Sequence, residues 1–179
     1  MAKIIVCKMR SISLLIALTL MSAVSYAQNT QSVNLSAGLL YPNTVDATLS
    51  YELETKYHNA WEFFINGSAK WKDCPSCGHV CAESFWKDHP TWGVGAAYKP
   101  CVYRLRNSYG RVRVGASAGS NTDKFLGGIH IGYEHNYSLR KGWRIFWQVK
   151  GDCMIGNPDL FRVGAAIGVA IPCNKRYKL

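Results

Sequence analysis

Polar and apolar residues alternate with a period of two through most of the chain after residue 30, and no window there keeps helical spacing. In the first segment Val33, Leu35, Ala37 and Leu39 alternate with Ser32, Asn34, Ser36 and Gly38. Beyond the turn Tyr41-Pro42-Asn43, Val45, Ala47, Leu49 and Tyr51 alternate with Asp46, Thr48, Ser50 and Glu52. The same pattern recurs over residues 61–68, 91–98, 111–119, 128–134, 143–152 and 161–171. Eight strands are predicted. A membrane strand takes about 9–11 residues, so eight use roughly 80. Eight is an even number, as single-chain outer-membrane barrels require, and gives a small barrel that side chains can fill.

Charge separates the two faces. The apolar faces hold no Asp, Glu, Lys or Arg, whereas the opposite faces carry Asp46, Glu52, Glu62, Arg111, Arg113, Glu134, Arg144, Lys150, Asp152 and Arg162. A soluble barrel would turn its apolar face inward; a membrane barrel reverses this and hides its ions inside, paired. Two features favour the reversed form. The polar faces are rich in Gly93, Gly95, Ala97, Gly115, Ser117, Gly119, Gly164, Ala166 and Gly168, as a narrow lumen demands. Aromatic residues Tyr51, Trp61, Trp92, Tyr98, Tyr133 and Trp143 gather at the ends of the apolar faces, where their rings suit bilayer interfaces. The fold expected is an all-β, eight-stranded antiparallel up-and-down transmembrane β-barrel.

Composition agrees. The 179 residues are 48% apolar and 12% aromatic, and the charged fraction of 18% lies below the roughly 25% of soluble domains. A mean hydropathy of −0.08 excludes a multi-span helical protein. The first 27 residues read as a secretory signal: Lys3, Lys8 and Arg10 precede an apolar run at 12–20, and Ser25-Tyr26-Ala27 forms a small-x-small cleavage site. Cleavage after Ala27 leaves residues 28–179 as one barrel domain. Met9 is a second possible initiator, because a complete signal follows it. The leader holds three of the 21 basic residues and none of the 11 acidic ones, leaving 18 against 11, a net +7.

Export sets the reading of the cysteines. Cys74, Cys77, Cys81, Cys101, Cys153 and Cys173 remain after the leader, and an even set in an oxidising compartment reads as disulfides. With both termini periplasmic, connections at 41–44, 72–90, 120–124 and 155–159 face outward, and those at 54–58, 99–108 and 138–142 face the periplasm. Cys153 then reaches the same end as Cys74, Cys77 and Cys81, while Cys101 and Cys173 share the other end and can pair. Cys74, Cys77 and Cys81 beside His79 and His89 also have the composition of a zinc site or, through the CxxC, a redox motif. Disulfides are the expected use, with no metal or cofactor.

Catalysis is not expected. Ser117, His130 and Glu134 all point into the lumen and contain the residue types of a triad, yet a lumen packed with side chains gives a substrate no room. Arg104, Arg106, Arg111 and Arg113 form the densest basic stretch but lack the aromatic platforms of a nucleic-acid surface, so no direct nucleic-acid contact is expected. A solvated edge or contact with anionic partners suits them better.

Three blocks in the second half carry a family resemblance: Asp123-Lys124-Phe125-Leu126-Gly127-Gly128, the stretch 134–151 around Trp143 and Gln148, and Leu160-Phe161-Arg162-Val163-Gly164-Ala165-Ala166-Ile167-Gly168. With Val33-Asn34-Leu35-Ser36-Ala37-Gly38 at the start, they resemble the conjugal-transfer TraO family of conjugative transposons. The resemblance implies a non-enzymatic barrel in the bacterial outer membrane, in contact with its lipid. It further implies periplasmic turns that meet other proteins of a DNA-transfer apparatus. Eight strands leave no channel wide enough for DNA. The alternatives are a stand-alone envelope-stabilising or surface-binding barrel, and a soluble secreted ligand-binding barrel.

Overall fold

The computed structural model describes residues 30–71, 90–121, 123–156 and 159–173. The predicted leader and initiators lie outside them, as do Cys74, Cys77, Cys81, His79 and His89. The strands are β1 (Thr30–Tyr41), β2 (Thr44–Glu54), β3 (Ala60–Lys70), β4 (Thr91–Lys99), β5 (Ser108–Ser120), β6 (Phe125–Ser138), β7 (Arg144–Ile155) and β8 (Phe161–Pro172). Each pairs antiparallel with its chain neighbour, and β1 pairs with β8, Ser32 facing Pro172 and Tyr41 facing Val163. The ring closes through the β1–β8 pairing, so none of the eight wall strands is an edge strand. The protein is an eight-stranded antiparallel up-and-down β-barrel.

Period-two alternation decides what each wall residue meets. Leu35, Leu39, Ile65, Ile129, Val163 and Ile167 point outward, and Ile167 is 71% exposed. Their strand neighbours Ser36, Leu40, Asn66, His130, Arg162 and Ala166 are buried inside. Greasy outside and ionised inside is the reverse of a soluble barrel.

The inward glycines have a steric cause. A Cβ on Gly119 would stand 2.0 Å from the Trp92 carbonyl oxygen, and one on Gly164 equally close to that of Leu39. Neighbouring strands approach so closely there that no side chain fits.

The ends differ. At the turn end, residues 55–59 and 139–143 form tight turns, closed by Thr55 N–H to Asn59 O (2.7 Å) and Leu139 N–H to Trp143 O (2.7 Å). Both need left-handed backbone, at Tyr57, His58, Lys141 and Gly142. The barrel's first and last strands also begin and finish at this end.

Two expectations need correction. The wall continues where a turn at 99–108 was expected: Lys99 ends β4 inside the lumen, and after Pro100 a short extension, Cys101–Arg104, stays paired with β5 across a bulge. Pro100 interrupts the ladder because it lacks an N–H, while its carbonyl still accepts from Val112 (3.0 Å). Cys101 and Cys173 are not joined; both are free thiols, and Cys101 Sγ donates to Tyr103 O (3.3 Å). They follow β4 and β8, which lie on opposite sides of the ring, and a disulfide needs Cα atoms within about 7 Å. Cys153 is likewise a free thiol, half-buried on the outer-facing register of β7.

Candidate functional site: the ion network of the lumen

The inward charges fall into two groups along the barrel axis. The turn-end group contains four carboxylates, Glu52, Glu54, Glu62 and Glu134, and four cations, Lys99, Arg111, Arg113 and Arg144. Lys99 sits at its centre. Its Nζ lies 3.1 Å from Glu52, 3.2 Å from Glu62 and 2.6 Å from Glu134, one carboxylate for each N–H of the ammonium.

Arginines tie the remaining oxygens. Arg111 meets Glu52 and Glu54, each at 2.9 Å, and Glu134 at 3.7 Å. Arg144 meets Glu52 (2.8 Å), Glu54 (2.5 Å) and Ser32 Oγ (2.7 Å), and Arg113 Nε donates to Glu62 (2.6 Å). Tyr109 OH accepts from Arg111 at 3.0 Å and from Arg144. The guanidinium of Arg113 also lies over the Phe64 ring at 4.5 Å. With Asn34 bonded to Glu52 and Asn136 to Glu134, every strand but β8 contributes.

The loop-end group is sparser. Lys150 bonds Asp46, which also accepts from Thr48 Oγ1 (3.2 Å). Arg162 Nη1 donates to Ser68 Oγ at 2.9 Å and Nη2 lies 3.7 Å from Asp152. His130 Nδ1 bonds Asp152 Oδ1 at 2.7 Å. Among the described residues, Asp46 Oδ1, Asn66 Oδ1, Asp152 Oδ2, and Nε and Nη2 of Arg162 are buried without a hydrogen-bond partner. In the turn-end half, among the described residues, only Arg111 Nε and Nη1 are comparable, and Nη1 has Glu52 Oε1 at 2.9 Å.

The ten inward charges named from sequence are all buried in these two groups. Lys99 and Glu54 complete the first group, although the sequence placed them in turns. Glu134 does not approach His130; it serves Lys99, and the acid beside His130 is Asp152. Among the described residues no three His, Cys, Asp or Glu side chains are placed to hold a metal ion.

Buried charge is tolerable when paired, and an apolar outer wall needs an apolar surrounding. Fold and lumen together define a transmembrane-type barrel with a neutralised interior. No protein-family model and no curated protein matches the chain. Among solved structures, a de novo designed transmembrane β-barrel is similar, with TM-score 0.45 and 13% identity over 79% of this chain and 95% of that one.

Proposed function

We propose that the protein is an outer-membrane anchor that works as a rigid body through its turn end, as a component of a conjugative DNA-transfer apparatus. The observation that carries this reading is the turn-end ion group. It crosses the lumen from seven strands and fills it, which suits a sealed post better than a pore.

A sealed barrel acts through its ends. The turn end exposes Arg104, Arg106, Arg140 and Lys141, together with Tyr57, Leu105 and Leu139. The turn sequences 55–59, 104–107 and 139–143 contain no Asp or Glu. Basic turns with apolar points between are suited to acidic faces of partner proteins. An even strand number together with the leader expected from the sequence supports a periplasmic position for this rim, within reach of other transfer proteins.

The test is complementation of a deletion strain. The quadruple reversal R104E/R106E/R140E/K141E should still insert as a heat-modifiable barrel, yet lower transfer frequency by about tenfold or more through weakened association. Full complementation by the reversed variant would rule out the turn end as the working surface. Normal transfer by the deletion strain itself would support the stand-alone envelope role instead.

A further inference from the structure

Three side chains on neighbouring strands form a chain in the loop-end half of the lumen. Ser117 Oγ on β5 lies 2.6 Å from Nε2 of His130 on β6, and His130 Nδ1 lies 2.7 Å from Oδ1 of Asp152 on β7. Strand register builds it: Ser117 faces Gly128, two residues from His130, and His130 directly faces Asp152. A carboxylate only accepts, so Nδ1 donates to Asp152 and leaves Nε2 free to accept the Ser117 hydroxyl proton. That is the tautomer a general base needs.

The surroundings fit a nucleophile. His130 and Asp152 are each 3% exposed, whereas Ser117 is half-buried and is the least enclosed member of the chain. Gly128 leaves the contact room: a Cβ there would stand 2.8 Å from Ser117 Oγ and 3.2 Å from His130 Nε2. Gly95 does the same on the other flank, where a Cβ would reach Ser117 Cβ at 2.9 Å. The Phe64 ring stands perpendicular to the imidazole, 5.3 Å between centroids, and packs against it. The same half of the lumen holds Asn66 Oδ1 and Arg162 Nε, buried and without a hydrogen-bond partner among the described residues, which suit a small polar ligand.

We propose that Ser117 is an activated nucleophile acting on a small carboxylic ester admitted from the loop end, with His130 as general base and Asp152 as a positioning residue. Ser117 Oγ bonds to the acyl carbon while its proton passes to Nε2. The alkoxide leaves carrying that proton as the alcohol, and acyl-Ser117 remains. Water then attacks, gives its proton to Nε2, and releases the carboxylic acid as Ser117 recovers it. This activity is separate from the anchoring role, and either can fail without the other.

Full-length barrel folded in micelles, with folding verified by heat-modifiable mobility, is treated with diisopropyl fluorophosphate. Ser117 Oγ displaces fluoride from phosphorus and the proton passes to His130 and then to solvent. One diisopropylphosphoryl group mapped to Ser117 is expected. It should be absent in S117A and H130Q, and formed about tenfold or more slowly in folded D152N. An unmodified Ser117 in the folded wild type would overturn the proposal. So would labelling equal to that of the urea-unfolded chain, or equal labelling in folded H130Q.

Discussion

Replacing Lys99 with Met is expected to destabilise the barrel by about 3–5 kcal/mol, the cost of removing one partner from a buried ion group. The side-chain volume is nearly kept, so the loss is electrostatic. Glu52 would still face Arg111 and Arg144, and Glu62 would keep Arg113. Glu134 would be left with Arg111 at 3.7 Å and the amide of Asn136. The double variant K99M/E134Q should therefore recover part of the loss, because it removes the carboxylate left worst paired. Equilibrium urea unfolding in micelles measures both. An unchanged midpoint for K99M would mean that the lumen is wet enough to solvate three carboxylates, and the sealed post would be wrong.

Replacing Ile167 with Arg should cost about 2–4 kcal/mol in a bilayer if the residue sits near the midplane. Ile167 lies midway along β8, points outward, and is flanked across the ladders by Ala37 and Trp147. The guanidinium would have acyl chains around it and no carboxylate on that face. The same substitution near a girdle, at Phe161 for example, should cost only about 0–1 kcal/mol, since the depth dependence is steep. Unfolding in vesicles reports the difference. Equal, small losses at both positions would show that the outer wall meets water.

Much of this was legible in the sequence because strand period is an integer. Two-residue alternation fixes which side chains share a face, so the eight segments and the ten inward charges follow without coordinates. Lys99 was missed although the parity Gly93, Gly95, Ala97, Lys99 pointed inward, because Pro100 signals a turn and here only kinks a wall. Glu54 shares the parity of Glu52, but the alternation breaks at Leu53-Glu54-Thr55-Lys56, which hides that β2 runs on to Glu54.

Partners across strands were harder to read. Glu134 shares a face with His130 but stands four residues along an extended strand, about 13 Å away. Asp152 is the true neighbour through a register that only pairing reveals. The Cys101 and Cys173 pair failed on azimuth, not on depth. In an up-and-down ring chain order is spatial order, so the opposition of β4 and β8 was already implied.

Everything rests on acyl chains, not water, lying against the outer wall. Purified barrel stripped of detergent and spun with phospholipid vesicles on a flotation gradient tests this most directly. The protein is predicted to float with the vesicles, keep its heat-modifiable mobility, and aggregate when vesicles are omitted. A compact monomer that stays dispersed in plain buffer and leaves the vesicles alone would contradict the account.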